Sequence, residues 1–139
     1  MKDVKIYIAS PYTHGWMPTM VSLQMKTADL LMDDGYLPYT PLLTHFQEIY
    51  SQRTEHEWLK VDFGFLKCCD AVLRLKPVDK KGNEIPSYGA DQEVELAKSK
   101  GIPVFYSIDE LNDHFKANSK QNELPYFDAE YLKNKYLEM

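Results

Sequence analysis

The sequence predicts an α/β fold, an open parallel sheet with helices on both of its faces. Two observations carry that expectation. Short runs rich in Val, Ile, Leu, Tyr and Phe recur at 4–9, 36–39, 71–75 and 102–106, and longer segments with helical spacing lie between them. Each helical segment also has its own start or stop signal, and strands alternating with helices favour parallel pairing through right-handed crossovers.

The elements follow in order. Val4-Lys5-Ile6-Tyr7-Ile8-Ala9 reads as a first strand, stopped by the Ser-Pro-Tyr-Thr-His-Gly run behind it. Residues 20–32 form a helix, closed by Asp33-Asp34-Gly35 with glycine at the C-cap. Tyr36-Leu37-Pro38-Tyr39 is short, aromatic and limited by proline, which suits a strand near a sheet edge. Thr54 followed by Glu57 matches a capping box and opens a helix reaching about Cys68. A third strand follows at 71–75, then a polar loop at 78–86. Ser87 caps the next helix, Gly101 ends it, and 102–106 is the fourth strand. Two short helices are expected at 109–115 and 128–137. Residues 1–115 therefore read as the α/β domain and 116–139 as a C-terminal tail with a short helix. The tail's Tyr126, Phe127, Tyr131 and Tyr136 should dock on the core or on a neighbouring subunit.

Composition narrows the function. The 139 residues are 44% hydrophobic and 27% charged, which is one compact domain rather than two. A net charge of -5 argues against nucleic acid as a partner, and no apolar run is long enough for a membrane span. Arg53 and Arg74 are the only arginines, so a phosphate would lean on backbone and hydroxyl groups. The chain reads as cytoplasmic, with the adjacent Cys68 and Cys69 reduced and partly buried. Neither HxxxH nor CxxC is present, so no metal is expected; GxGxxG, GxxxxGK[ST] and GxSxG are absent too, and no cofactor is expected.

Ligands of open parallel sheets sit beyond the carboxyl ends of the strands, where Tyr7, Ser10, Tyr12, Thr13, His14, His45, Asp62, Ser87 and Glu93 should converge. Glu93 lies four residues after Gly89 and four before Ala97, so it has small neighbours on one helical face and a ligand can approach closely. A solvated helix acid like Glu95 is the alternative. Asp62 interrupts a strongly apolar helix, where an acid needs a partner or a task. Together the two acids form a possible carboxylate pair of the kind that glycosyl transfer uses. His14 and His45 read either as loop histidines bonded to backbone or as ligand contacts. Tyr7, Tyr12 and Trp16 offer rings for stacking on a base, with Trp16 equally suited to anchoring its loop.

Three stretches in order, Ile6-Tyr7-Ile8-Ala9-Ser10-Pro11-Tyr12, Asp62 ahead of Cys69-Asp70-Ala71-Val72, and Ser87-Tyr88-Gly89-Ala90-Asp91-Gln92-Glu93-Val94-Glu95-Leu96-Ala97, resemble the nucleoside 2-deoxyribosyltransferase superfamily over roughly residues 4–106. The likeness is to a bacterial and phage branch with an IYIASPY-type start and a histidine after the second strand, here His45. The resemblance implies a three-layer, flavodoxin-like (Rossmann-like) sheet. It implies Glu93 as nucleophile, Asp62 as the acid that holds the sugar or assists proton transfer, and Tyr7 as the group positioning the nucleophile. It maps 5′-phosphate contacts onto Ser10, Thr13 and Ser87, although the loop from Ser10 has no arginine and lacks the glycine-rich, Arg-containing phosphate loop of the monophosphate-hydrolysing relatives. It also implies a homo-oligomer, in which a neighbour's C-terminal part completes the site.

The expectation is therefore an enzyme that cleaves the N-glycosidic bond of a nucleoside or nucleoside 5′-monophosphate, as transferase or hydrolase. Substrate contacts are expected from Ser10, Tyr12, Thr13, His14, His45, Ser87 and Gly89. A non-catalytic nucleotide-binding or sensing module of the same fold is the alternative.

Overall fold

The structure is a computed structural model and describes residues 3–12 and 17–119, the last four as backbone. Expectations for Thr13, His14 and Trp16, and for the aromatic tail with its helix at 128–137, lie outside the described residues.

Four strands form one all-parallel sheet: β1 (Lys5–Ala9), β2 (Leu37–Tyr39), β3 (Ala71–Arg74) and β4 (Val104–Phe105), in the order β2-β1-β3-β4. Tyr7 is the hinge of the register, opposite Tyr39 on one side and Val72 on the other. Helix α1 (Met17–Asp33) follows β1; a short α2 (Pro41–Thr44) runs into a 3-10 segment at His45–Ile49; then come α3 (Glu55–Leu66), α4 (Tyr88–Ser99) and α5 (Ile108–Ser119).

Side chains of a strand alternate between faces, and β1 sorts the core accordingly. Ile6 and Ile8 pack with Leu31 of α1, Ala71 and Leu73 of β3 and Leu111 of α5. Tyr7 and Ala9 pack with Leu66 of α3, Val72 of β3, and Ala90 and Ala97 of α4. Helices thus cover both faces, making three layers. Both edge strands are short, three residues in β2 and two in β4, which limits the exposed ladder.

Local chemistry sets most boundaries. Gly35 (φ 90°) and Gly101 (φ 71°) take the left-handed conformation that ends α1 and α4. In each case the glycine N–H and the next one donate back into the last turn, Tyr36 to Leu31 and Ile102 to Ala97. Thr54 and Glu57 form the expected reciprocal box at the start of α3. Some expectations shift. Helix α1 includes residues 17–19 ahead of the expected 20–32, and Pro18 is tolerated there because the N–H groups of a helix's first turn need no partner within it. Helix α5 continues to Ser119, so a boundary at 115 falls inside it. Strand β4 keeps only the middle of 102–106, since Pro103 cannot donate to the ladder. The loop at 78–86 is tied by a bridge between Val78 and Glu84. Cys69 is partly buried but Cys68 is exposed.

Candidate functional site

Beyond the carboxyl ends of β1 and β3 lies a cleft walled by α1, α2, α3 and α4, at the point where connections leave the central strands in opposite directions. Seven of the predicted residues line it: Ser10, Tyr12, His45, Asp62, Ser87, Gly89 and Glu93. Tyr7 lies beneath them, fully buried on the sheet face that carries α3 and α4. That burial withdraws its ring from any stacking on a ligand. Its hydroxyl instead sits close enough to Glu93 to bias the carboxyl.

Glu93 occupies the second turn of α4, whose first turn is pinned by Ser87 Oγ accepting from the Ala90 N–H at 3.0 Å. Only 6% of Glu93 is exposed. Gly89, one turn earlier, lines the cleft and leaves the approach open, whereas Ala97, one turn later, is buried in the core. Burial pushes the Glu93 carboxyl up to about 8, and the nearby charge of Asp62 adds to that rise. The Tyr7 hydroxyl and the Arg74 guanidinium pull the other way. Burial likewise holds the Tyr7 phenol well above its usual range, with the charge of Glu93 as second cause.

Arg74 ends β3 almost completely buried on the α4 side of the sheet. Its guanidinium donates to the Leu75 carbonyl and, at 3.4 Å, to Asp91. Arg53 is out in solvent with Glu57. Neither arginine lines the cleft, so the phosphate grip considered from composition is unavailable to both from their present positions.

Asp62 has the partner its burial demands. His45 Nε2 lies 3.4 Å from Asp62 Oδ2, with both side chains under a tenth exposed. The imidazole stacks on Trp58 (centroids 4.1 Å apart, planes 21°) and takes the edge of Tyr12 (4.6 Å, 78°). His45 therefore belongs to the junction of α2 and the 3-10 segment, in a three-ring wall, rather than to an open loop.

Sequence reasoning missed Gln24, Glu55 and Trp58. Gln24 is fully buried and donates to Ser10 Oγ at 2.8 Å and to the Ile8 carbonyl at 3.1 Å, while its oxygen accepts from Leu42 N–H at 3.3 Å. A polar residue on the buried stripe of a helix was the available signal. Trp58 was visible only as a core position, and its indole N–H donates to Glu48.

Among the described residues, the buried side-chain polar atoms without a hydrogen-bond partner are Tyr7 Oη, His45 Nδ1, Asp62 Oδ1, Arg74 Nε and Glu93 Oε2. Such atoms cost roughly 1–3 kcal/mol each and are rare in native folds. Here they gather at one cleft and its floor. The described lining contains three acids, Glu55, Asp62 and Glu93, and no Lys or Arg. Such a cleft offers carboxylates, hydroxyls and one imidazole, the equipment of nucleophilic and acid–base chemistry on a neutral or weakly charged ligand.

No protein-family model and no curated protein matches the chain. Among the described residues, no helix is long and apolar enough to cross a membrane.

Proposed function

We propose that the protein cleaves the N-glycosidic bond of a nucleoside, with Glu93 as nucleophile, in the manner of the deoxyribosyltransferase-like enzymes its motifs resemble. The carrying observation is the pair of buried carboxyls, Glu93 on α4 and Asp62 on α3, that line one cleft and each keep an unpartnered oxygen. The sheet order β2-β1-β3-β4 supports a flavodoxin-like arrangement, in which this crevice is the usual ligand site.

In the first half-reaction Glu93 Oε attacks C1′, the C1′–N bond breaks with its electron pair remaining on the base, and the base takes a proton from the Asp62 side of the cleft. In the second, water or another base attacks C1′ of the glycosyl ester and Glu93 is released as carboxylate. Attack requires ionised Glu93, and the burial that raises its proton affinity also makes the bare carboxylate a stronger nucleophile. Tyr7, held protonated by burial, is placed to steady that carboxylate.

Charge favours a free nucleoside over its 5′-monophosphate. Besides the acid-rich lining, the stretch from Ser10 to Met25 contains no Lys or Arg, and the Asp91 charge in the first turn of α4 is matched by Arg74. A phosphate dianion would be repelled there.

The test is chromatographic. Wild type and Glu93→Gln are incubated with ribo- and deoxyribonucleosides and their monophosphates, with and without a second free base. Base release lost in Glu93→Gln is the expected result, and a need for the acceptor base would mark a transferase. No release from any compound, with one of them raising Tm, would point to a binding module instead.

A further inference from the structure

We propose that Glu55 is the base-recognising residue of the cleft and that the base it accepts is guanine, whose outer edge carries two adjacent N–H donor groups. The proposal rests on the glycosidic reading above and names the base within it.

The cleft has a direction. Glu55, Trp58, Leu59 and Asp62 stand at i, i+3, i+4 and i+7 of α3, and all four line it. Asp62 is buried and Glu55 exposed, so this stripe descends from the mouth of the cleft to its floor, two turns or about 10.5 Å along the helix axis. Asp62 shares the floor with Glu93, where C1′ is attacked, and the Glu55 carboxylate stands at the far end. The wall between the two acids is apolar: the Trp58 indole N–H is engaged by Glu48, Leu59 follows, and Pro41 and Leu42 also face the cleft. Apolar surface with an acid at either end is a seat for a planar ring system whose polar groups lie at its edges. A base bonded to C1′ at the floor turns its outer edge to the mouth.

Glu55 is also the acid left over. Of the three glutamates around the start of α3, Glu57 closes the capping box with Thr54 and pairs with Arg53, and Glu48 accepts from Trp58. Glu55 has no hydrogen bond or ion pair among the described residues. An acid in a helix's first turn favours the helix dipole, but an acid pointing to solvent serves that purpose equally and does not require a place on the cleft wall.

A carboxylate only accepts, and its two oxygens take two donors side by side. Guanine offers N1–H and its 2-amino group in that arrangement, and both bonds are charge-assisted. Hypoxanthine offers N1–H alone. Adenine and cytosine place a ring-nitrogen lone pair beside the amino group, which a carboxylate repels, and the described lining holds no Lys or Arg to meet that lone pair. Uracil has one N–H between two carbonyl oxygens, on a single ring that ends nearer the sugar and short of the mouth.

The experiment follows base release from guanosine, inosine, adenosine and uridine and their 2′-deoxy forms by wild type, Glu55→Gln and Glu57→Gln. Wild-type kcat/KM is expected to be at least about tenfold higher for guanine than for hypoxanthine nucleosides, the effect of one charge-assisted bond. Glu55→Gln should bring that ratio below about threefold, chiefly by raising KM for the guanine nucleosides, because the amide turns a donor toward the 2-amino group. Glu57→Gln removes the other first-turn charge and should leave the ratio unchanged. In Glu93→Gln, where turnover is blocked, guanosine should raise Tm more than inosine does, and adding Glu55→Gln should abolish the difference. Wild type that cleaves hypoxanthine or adenine nucleosides as well as guanine ones would overturn the assignment and leave the glycosidic reading standing. So would an equal loss on every nucleoside in Glu55→Gln, which would mark a contact to the shared sugar. Absence of base release by wild type from all eight compounds would overturn the glycosidic reading itself; the Tm comparison would then decide base recognition alone, with equal rises for guanosine and inosine dismissing Glu55.

Discussion

Gln24 and Ser10 are joined by a 2.8 Å hydrogen bond in which the amide donates and the hydroxyl oxygen accepts. Because the Ser10 oxygen is engaged that way, its own proton is free to be donated toward a ligand oxygen. Ser87 repeats the arrangement by accepting from Ala90 N–H. Two hydroxyls on one cleft are thus fixed as donors amid three acids.

Replacing Gln24 should therefore hurt both stability and binding. Gln24→Leu removes the donor to Ser10 and the acceptor for Leu42 N–H, leaving buried groups unpartnered at a cost of about 2–4 kcal/mol. Urea unfolding measures the loss. Kinetics should show KM rising more than kcat falls, since the Ser10 donor loses its orientation.

Glu93 should make the protein less stable as pH rises. Its carboxyl titrates near its ordinary value of 4.5 when unfolded and at about 8 when folded. Between those values the unfolded chain has released a proton that the native state retains, so this group costs about 1.4 kcal/mol per pH unit. Glu93→Gln removes that burden. Its Tm should match wild type near pH 4.5 and exceed it by a widening margin up to pH 8; a constant difference across that range would contradict the raised carboxyl.

The same titration sets the pH dependence of turnover. Attack needs the carboxylate, so kcat/KM, which reports on the unliganded enzyme, should climb with pH and level off above about 8. Arg74 lowers this carboxyl through its charge. Arg74→Met should displace the climb to higher pH, while Arg74→Lys should displace it less; profiles of kcat/KM for the three proteins decide.

Substrate charge gives a further test. A nucleoside should be cleaved with kcat/KM at least about tenfold above its 5′-monophosphate, a difference of about 1.4 kcal/mol for a dianion in a cleft whose described lining holds acids and no Lys or Arg. Raising the salt concentration should narrow the gap by screening the repulsion.

Thr54→Ala provides a control on the fold alone. It removes the hydroxyl that accepts from Glu57 N–H, while the backbone N–H at position 54 can still donate to the Glu57 carboxylate, and should cost about 1 kcal/mol in denaturant unfolding, with kcat unchanged.

What the sequence made legible follows from range. Strand and helix positions were readable because their causes are local: Gly35 and Gly101 at the two helix ends, Thr54 with Glu57, and the Val, Ile and Tyr of β1. The short helix and 3-10 segment at 41–49 were not, because four and five residues are each too short for an apolar spacing to recur over several turns. Asp62 announced itself as an acid in an apolar helix, but its partner His45 lies 17 residues earlier on another element, and nothing in the intervening chain indicates the meeting. Tyr7 was placed correctly on β1, yet its depth depends on α3 and α4 closing over it. Gln24 lies on the same stripe of α1 as Met20, Val21 and Leu31, which signals burial, but its partners Ser10 and Leu42 belong to other elements and only the packed sheet brings them to it.

The strand order also bears on synthesis. β1 is the earliest strand of the fold, yet it ends between β2 and β3, with Tyr7 opposite both Tyr39 and Val72. A growing chain can close the β2 side early. The other ladder of β1, flanked by Ile6 and Ile8, stays unmatched until residues 71–74 emerge, seconds later at ordinary translation rates. For that interval the nascent chain presents an apolar strand edge open to pairing with other chains. The helix bearing Glu93 arrives later still, so a stalled ribosome would leave a sticky half-sheet with no cleft.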